Sequence, residues 1–335
     1  MLEVSNLDVN YGPKSVVSDL NFTLQQDEII TLVGPTGSGK TTILLALAGL
    51  LSISKGQIKS PKWSSDSDNQ VPTELRNIGM VFQDFALFPH LTVEQNIGFK
   101  VKSFEKIEYW LDLLELNDVR TKKPEKLSGG QKQRVALART LVHEPIYILL
   151  DEPLSNLDAS LKESLRWEIR DALKASQVSA VWVTHDQQEA MSVGDRVGIL
   201  NHGKLIQLDR PETCYDQPTS KFVANFLGEA SFLPAKVVGK IAKTEIGDAK
   251  LKPFEGNGGE KSILIRPWDC SIEITENSNG EVEWVHYEGA TKLVNVILDT
   301  GTRIFVRIHN HCQLLAGHRV KLSLDEAKSY AVFLS

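Results

Sequence analysis

The first two thirds of the chain mix two patterns of apolar residues. Runs at 2–9 and 22–33 are rich in β-branched residues and indicate strands, and residues 29–33 are apolar enough to predict a buried strand. Segment 103–116 instead carries apolar residues three and four positions apart, which predicts an amphipathic helix. Strands and helices are therefore expected to be interspersed rather than segregated.

This alternation continues to about residue 210. Further strands are predicted at 78–82, 146–150, 180–184, 197–200 and 205–208. Further helices are predicted at 42–51, 129–143, 161–175 and 187–193. The polar stretch 52–75 indicates a hairpin with an exposed loop. Such alternation is typical of an α/β fold with a largely parallel sheet.

The pattern changes after about Leu227. Short strand-like runs follow at 262–265, 271–275, 281–286, 293–298, 303–308 and 319–324. These runs predict a small all-β domain, an OB-like barrel of five strands. We therefore expect two domains, at residues 1–228 and 229–335, which a length of 335 residues also favours.

Composition excludes several classes of function. The net charge is −6, so no basic balance points to a nucleic-acid partner. Cys214, Cys270 and Cys312 are far apart and odd in number, which favours reduced thiols over a disulfide framework or a metal site. The N-terminus carries no secretory signal, and no apolar stretch approaches the ~20 residues of a membrane-spanning helix. A role at a membrane would therefore need a separate membrane partner.

A glycine-rich loop, residues 34–41 (GPTGSGKT), follows the buried strand 29–33 and fits G-x-x-x-x-G-K-[ST] between a strand and a helix. The glycines let N–H groups point at phosphate oxygens, and the helix N-terminus adds partial positive charge. Lys40 can pair with the β- and γ-phosphates, and the Thr41 hydroxyl can ligate Mg²⁺. The predicted nucleotide contacts are Gly34, Pro35, Thr36, Gly37, Ser38, Gly39, Lys40, Thr41 and Thr42. The loop alone leaves open ATP or GTP, and kinase or ATPase.

Two carboxylates end another predicted strand. Asp151 and Glu152 follow the apolar run 146–150, where negative charge is costly unless a cation or a proton meets it. Asp151 can hold Mg²⁺, and Glu152 can orient and deprotonate the attacking water. His185 follows the strand 180–184, and its place at the carboxyl edge of such a sheet favours a site role over a structural one.

A second potential anion site opens the predicted helix 129–143. Ser128 is a good N-cap, and Gly129 and Gly130 free the following amides. A helix cap explains Ser128, but two glycines disfavour a helix and need another reason.

Six motifs in this order resemble those of an ABC-transporter ATPase. They are residues 34–41, Gln83, residues 127–131, Asp151-Glu152, residues 155–158 and His185. The resemblance covers residues 1–228 and implies a P-loop ATPase cassette that binds ATP and Mg²⁺, with a helical subdomain at about 84–145. It also implies that two cassettes pair head to tail, so that each completes the ATP site of the other.

The resemblance assigns roles across that dimer. Ser128, Gly129, Gly130 and Gln131 would contact the γ-phosphate bound by the second subunit, which is expected to be an identical chain. Asp158 would lie at the dimer seam.

The resemblance also assigns roles within one subunit. Tyr11 matches the aromatic residue that stacks on adenine, with a core tyrosine as the alternative. Gln83 matches the residue that senses Mg²⁺ and the γ-phosphate, so we expect it at the metal with Thr41 and Asp151. The predicted catalytic residues are Lys40, Gln83, Glu152 and His185.

Two further stretches resemble importers within this family. Residues 83–93 match the region that receives the coupling helix of the membrane subunit, although a core segment of the helical subdomain is the alternative. The all-β tail resembles the regulatory domain of bacterial importer ATPases, on residues 264–267 (LIRP). These likenesses imply a peripheral subunit on the cytoplasmic face of the inner membrane. Its partners would be a permease and, through it, a solute-binding protein.

The choice of solute, and the choice between transport and other functions, depend on fewer residues. Stretches 85–93 and 226–229 look most like ferric-iron importers, while polyamine, sulfate, sugar and phosphonate importers share most features. A non-transport ABC protein of DNA repair or translation is disfavoured, because the chain has neither a long coiled coil nor a second cassette. A P-loop kinase would leave residues 127–131 and His185 without a role.

Overall fold

The internal contacts of the chain divide it into two units, Met1–Pro211 and Glu212–Ser335. The computed structural model describes residues 1–254 and 258–334. The division falls before the predicted boundary at residue 228, because segment 212–228 makes its contacts with the second unit. The assignment of residues 1–228 to an ATPase domain remains a prediction.

The first unit contains both strands and helices. Its strands are β1 (Leu2–Tyr11), β2 (Lys14–Leu24), β3 (Ile29–Val33), β4 (Lys55–Lys59), β5 (Ser64–Asp66), β6 (Gly79–Val81), β7 (Tyr147–Asp151), β8 (Ser179–Thr184), β9 (Arg196–Asn201) and β10 (Lys204–Asp209). Its α-helices are α1 (Lys40–Ala48), α2 (Val93–Ile97), α3 (Phe104–Leu113), α4 (Gly129–Leu141), α5 (Ala159–Ser176) and α6 (Gln187–Val193). Short 3₁₀ helices lie at Thr73–Leu75, Asn117–Val119 and Pro124–Lys126.

A six-stranded sheet in the order β10-β9-β3-β8-β7-β6 positions the candidate site. Strands β9, β3, β8, β7 and β6 are parallel, and β10 pairs antiparallel with β9. Every residue of β3, β7 and β8 is buried. Their carboxyl ends lead into residues 34–41, Glu152 and His185, so the predicted chemistry meets at one edge of the sheet. The prediction of a largely parallel sheet is confirmed.

The buried strands separate two hydrophobic cores. Leu150 and Trp182 pack into a core with helices α2 to α5, whereas Leu149 and Val183 pack into a core with α1, β1 and β2. Side chains alternate between these faces because successive residues of a strand point in opposite directions. This explains why the strands are continuously apolar: each residue that is removed from water on either face contributes about 1.5–3 kcal/mol.

A separate antiparallel sheet has the order β2-β1-β4-β5. The strand predicted at 22–33 is wrong, because these residues belong to two sheets, with Leu24 ending β2 and Ile29 beginning β3. Between them Asp27 adopts a left-handed φ of 56°, and the Gln25 N–H donates to a Glu28 carboxylate oxygen at 2.7 Å. The polar residues before Ile29 are therefore a turn between the sheets. The hairpin predicted at 52–75 is present as the antiparallel pair of β4 and β5.

The second unit is rich in strands. They are β11 (Ser231–Val238), β12 (Ile241–Thr244), β13 (Gly247–Leu251), β14 (Gly259–Ile265), β15 (Cys270–Ile274), β16 (Gly280–Tyr287), β17 (Thr291–Leu298), β18 (Arg303–His309), β19 (Arg319–Leu324), β20 (Ser329–Tyr330) and β21 (Val332–Leu334). Helix α7 (Pro211–Asp216) begins at the boundary, and α8 (Lys221–Phe226) follows it.

The described strands of this unit form two sheets around one core. Their orders are β20-β13-β12-β11-β14-β21 and β15-β19-β16-β17-β18. Leu233 and Ile263 of the first sheet share that core with Val294 and Val306 of the second. The all-β character is confirmed. The predicted five-stranded OB-like barrel describes only part of the unit, because a six-stranded sheet accompanies the five-stranded one. Pro234 concealed β11 from the sequence pattern, since proline argues against a strand.

Arg266 ties the two short helices to these sheets. It is buried, and its Nη1 donates to the carbonyl oxygens of Ala224 at 2.8 Å and Gly228 at 3.2 Å, while Nη2 donates to that of Tyr215 at 3.0 Å. Its guanidinium carbon lies 4.0 Å from the centre of the Tyr215 ring. One buried cation thus satisfies carbonyls at the ends of both helices, which explains why segment 212–228 belongs with the second unit.

The cysteines are free thiols, two buried and one half-buried. Burial raises the pKa of Cys270 to about 12, which makes its thiolate rare at neutral pH. In the described ranges, 1–254 and 258–334, no helix has the length and apolarity needed to cross a membrane.

A chain that ends after Leu227 is expected to keep ATP hydrolysis, because every predicted catalytic residue lies in the first unit. It should unfold at a lower temperature, since Ala224 loses its packing against Leu264 and Phe333. Steady-state ATPase rates and thermal melting test both points, with a chain ending after Arg210 as the control that also removes α7 and α8. Loss of hydrolysis by a folded truncated chain that still binds ATP would contradict the expectation.

Candidate functional site

The phosphate loop encloses a cleft of about 220 Å³ at the start of α1. Gly37 and Gly39 adopt positive φ angles of 80° and 100°, which side-chain-bearing residues rarely reach. A Cβ added at Gly34 would lie 2.4 Å from the carbonyl oxygen of Leu200, so the backbone approaches that strand too closely for any larger residue. The loop therefore has the curled backbone that its sequence predicts.

A buried hydroxyl in this loop indicates a missing partner. Ser38 is 3% exposed, and its Oγ has no hydrogen-bond partner within the part of the chain that the structure describes. Buried polar atoms are nearly always hydrogen-bonded, so an orphaned donor beside a glycine cradle fits an acceptor supplied by a ligand. A phosphate oxygen is such an acceptor.

The Lys40 side chain is bonded to the backbone of the phosphate loop. It is 6% exposed, and its Nζ donates to the carbonyl oxygens of Gly34 at 2.9 Å and Pro35 at 3.1 Å. Burial lowers the pKa of the ammonium, and the nearby carboxylates of Glu152 and Asp151 partly oppose this. A buried cation satisfied chiefly by neutral carbonyls is well placed to gain from an arriving phosphate.

Thr41 and Asp151 bring oxygen donors together at the end of β7. The Thr41 Oγ1 donates to the Asp151 Oδ1 at 3.1 Å, and Asp151 is 9% exposed. Burial raises the pKa of Asp151, and the hydrogen bond from Thr41 opposes that rise. A hydroxyl and a carboxylate are ligands that Mg²⁺ accepts beside nucleotide phosphates, so these residues fit the predicted metal.

Glu152 and His185 meet across the edge of the sheet. The Glu152 Oε2 lies 2.9 Å from the His185 Nδ1. Glu152 has a left-handed φ of 45°, and its N–H donates to the Val183 carbonyl at 3.0 Å, which fixes the turn after β7. Strained backbone at a polar site costs about 1–3 kcal/mol and is concentrated at functional sites. The pair thus places a carboxylate and an imidazole side by side, where the carboxylate can accept a proton from a neighbouring water.

The backbone of Gln83 is bonded to the loop that follows Glu152. Its carbonyl oxygen accepts a hydrogen bond from the Asn156 Nδ2 at 2.9 Å, which joins its loop to residues 155–158. The Gln83 side chain is exposed and makes no hydrogen bond within the described residues, so contact with the metal stays a prediction. This hydrogen bond of Asn156 could not be predicted from sequence, because an exposed asparagine in a loop gives no distinguishing signal.

The predicted second anion site is a capped helix. The Gln131 N–H donates to the Ser128 Oγ at 3.3 Å, and the Ser128 N–H donates to the Gln131 Oε1 at 3.0 Å. This capping box satisfies two amides at the start of α4. Both side chains are therefore engaged within the helix in this single chain.

Packing supplies a reason for the two glycines that follow Ser128. A Cβ at Gly129 would lie 2.7 Å from a methyl group of Leu157, and one at Gly130 would lie 2.8 Å from a methyl group of Leu165. Glycine thus lets α4 approach α5 and the loop before it. The role of residues 128–131 toward a second subunit remains a prediction.

Tyr11 and Asp158 are both exposed in the single chain. Tyr11 ends β1 and is 48% exposed, so its ring is free to stack on a base. Asp158 is the N-cap residue of α5, and its side chain makes no capping hydrogen bond. Their predicted roles are not tested by the geometry.

The fold and the site together define a P-loop nucleotide-binding ATPase: a parallel sheet whose carboxyl edge carries a phosphate loop, a buried lysine and a carboxylate–histidine pair.

Comparison with known proteins identifies the family within this class. The family model "ABC transporter" matches residues 17–155. The Fe(3+) ions import ATP-binding protein FbpC of Fusobacterium nucleatum is 35% identical, over 98% of this chain and 86% of that protein. The spermidine/putrescine import ATP-binding protein PotA of Pseudomonas aeruginosa is 37% identical, over 92% of this chain and 91% of that protein.

A solved structure agrees with the fold. The ATP-binding cassette MJ0796, a dimer in a post-hydrolysis state bound to ADP and Pi, is 29% identical with a TM-score of 0.54, over 63% of this chain and 99% of that one. The chain belongs to the family of ABC transporter ATP-binding proteins. It is an ATP-binding ATPase with the cassette fold that the motifs predicted.

Proposed function

We propose that the chain powers the import of ferric iron through a separate membrane permease. The observation that carries this is the similarity over nearly the whole chain, second unit included, to a protein named for Fe(3+) import. Further Fe(3+) import proteins, from Haemophilus influenzae and Photorhabdus laumondii, are 36% and 40% identical over 88% and 83% of the chain. The likeness thus extends beyond the cassette, which ABC proteins of many functions share.

The site supports hydrolysis in which the chain supplies the general base and a positive charge that pairs with the phosphates. Lys40 exchanges its two carbonyl partners for oxygens of the β- and γ-phosphates, and the orphaned Ser38 hydroxyl gains an acceptor. Glu152 takes a proton from the attacking water, and His185 holds the carboxylate in place at 2.9 Å. Thr41 and Asp151 would hold Mg²⁺, which neutralises phosphate charge when bound.

A second copy of the chain would complete each site. Gly129 and Gly130 pack close to Leu157 and Leu165 of their own subunit, and the start of α4 is a helix N-terminus suited to an anion. The related cassette MJ0796 was solved as a dimer after hydrolysis. We therefore propose a head-to-tail homodimer in which α4 of one subunit meets the γ-phosphate held by the other.

A groove lined by both aromatic and polar side chains would receive the permease. It has a volume of about 680 Å³ beside residues 83–93, and its lining includes Phe82, Phe88 and Phe99. Phe88 and Phe99 lie 4.5 Å apart between ring centres, and Phe99 is 38% exposed. Exposed aromatic side chains in a groove favour an inserted helix of a partner.

Arg139 of α4 is bonded to the segment beside this groove. Its guanidinium donates to the carbonyl oxygens of Ala86 at 2.7 Å and Phe85 at 3.2 Å, and lies 5.3 Å from the centre of the Phe88 ring. Phe85 and Ala86 have left-handed φ angles of 66° and 43°, so this segment is held in a strained shape. Movement of α4 during ATP turnover would therefore move the permease-binding groove.

Uptake assays separate the proposed solutes. In a strain that lacks the chain, ATP-dependent uptake of radiolabelled Fe³⁺ is expected to be lost. The wild-type chain should restore it, and the Glu152→Gln variant should not. Spermidine uptake should be unchanged throughout.

A polyamine is the second candidate, because PotA matches the chain at 37% identity and nearly full length. Loss of spermidine uptake with normal Fe³⁺ uptake would overturn the iron proposal in favour of the polyamine. Loss of neither would exclude both solutes.

A further inference from the structure

A buried acid that the hydrolysis scheme does not use lies behind His185. Glu189 in α6 is 4% exposed. Its Oε1 accepts a hydrogen bond from the Trp182 Nε1 at 2.5 Å, and its Oε2 accepts one from the Thr184 Oγ1 at 3.0 Å. A carboxyl group placed among buried strand residues is costly unless such bonds satisfy it, so its position needs a physical reason.

Further hydrogen bonds close a ring around the turn that carries His185. The Asp186 N–H donates to the Thr184 Oγ1 at 3.0 Å, and the Glu189 N–H donates to the Asp186 Oδ1 at 3.0 Å. Thr184 and Asp186 are the immediate neighbours of His185 in the chain. Both sides of His185 are therefore anchored to Glu189, one through its carboxylate and the other through its backbone.

The same turn is fixed to the opposite half of the site. Val183, next to Thr184 in β8, accepts the Glu152 N–H at 3.0 Å, and the His185 Nδ1 lies 2.9 Å from the Glu152 carboxylate. His185 itself is more than half exposed, with a side-chain exposure of 54%, so surrounding packing does little to orient its ring. Its orientation depends on the backbone of this turn.

We propose that Glu189 is a positioning residue for ATP hydrolysis, which holds the turn Thr184–Asp186 through its two buried hydrogen bonds and thereby keeps His185 against Glu152. The side-chain hydrogen bonds of Glu189 go to Trp182 and Thr184, which lie on the strand that leads into His185, so Glu189 acts through His185. The inference rests on the proposed role of the Glu152–His185 pair.

Glu189→Gln is a near-isosteric probe of this role. The amide replaces one acceptor oxygen by an NH₂ donor, which faces Thr184 when the remaining oxygen accepts the Trp182 N–H. The Thr184 O–H then loses its acceptor, while the volume of the side chain is kept. A residue that only fills space would tolerate this change.

Steady-state ATPase measurements on the full chain test the proposal, using wild type, Glu189→Gln, His185→Ala and the double variant. Glu189→Gln is expected to lower kcat about tenfold, with the KM for ATP changed less than about twofold, because misplacing a group slows the reaction more than it weakens binding. In the His185→Ala background Glu189→Gln should cause no further loss, since the two changes act on one group. Gln188→Ala, which changes an exposed side chain of the same helix, should leave kcat unchanged.

The outcomes separate this inference from the function on which it rests. An equal loss from Glu189→Gln in both backgrounds, or a wild-type kcat, would overturn the positioning role and leave the hydrolysis site standing. A wild-type kcat for His185→Ala would overturn the proposed role of His185 itself. If Glu189→Gln does not fold, Thr184→Val removes the same Glu189 bond and carries the same prediction, with circular dichroism and ATP binding to verify the fold.

Discussion

The Glu152→Gln variant should bind ATP normally and hydrolyse it about 10²–10⁴-fold more slowly than the wild type, the range that a positioned general base contributes. The amide keeps the shape of the side chain and can still contact the His185 Nδ1, which lies 2.9 Å from the carboxylate in the native chain. It has no basic oxygen to take the proton from water. Because ATP stays intact, the variant should also accumulate as a dimer in ATP and as a monomer in ADP.

Single-turnover hydrolysis and size measurements with each nucleotide test both parts. Glu163→Gln is the matched control, since it makes the same charge change on an exposed position of α5 and should behave as wild type. Near-normal turnover by Glu152→Gln would show that another group is the base, and Asp151 would be the nearest alternative.

The Lys40→Ala variant should lose ATP affinity by about 10- to 100-fold, because a hydrogen bond to a charged group is worth about 1.5–3 kcal/mol. In the free chain the Lys40 ammonium is held by the Gly34 and Pro35 carbonyls, and burial lowers its pKa. Phosphate replaces these neutral partners with negative charge. That gain is absent when the side chain ends at Cβ.

Titration with a fluorescent ATP analogue measures this loss, and Lys62→Ala, which removes an exposed cation, should leave the affinity unchanged. Wild-type ATP affinity in a folded Lys40→Ala protein would contradict the assignment of the phosphate loop.

The phosphate loop and the edge of the sheet could be predicted from sequence because both depend on local sequence patterns. Residues 34–41 carry their backbone geometry in their glycines, and β3, β7 and β8 are continuously apolar. The contact of Glu152 with His185 then follows, since the ends of adjacent parallel strands meet. Glu189 gave no such signal, because an acid within a short helix looks like an ordinary surface charge until its burial is known.

Some elements were missed because partners far along the chain override a local rule. The helices α7 and α8 have six residues each and owe their order to Arg266, which no local pattern reveals. Strand β11 contains Pro234 and is nevertheless paired with β14 along its length. Helix α2 was missed although Thr92 and Gln95 form a capping box, a signal that its sequence did contain.

We expect one chain to supply parts to two ATP sites, so that hydrolysis needs a pair of subunits. The most direct test is the ATP turnover per subunit as a function of subunit concentration at saturating ATP. We expect it to rise with concentration and then level off as dimers form, while ATP binding per subunit stays constant. A turnover per subunit that remains constant down to concentrations at which sedimentation shows monomers would contradict the claim.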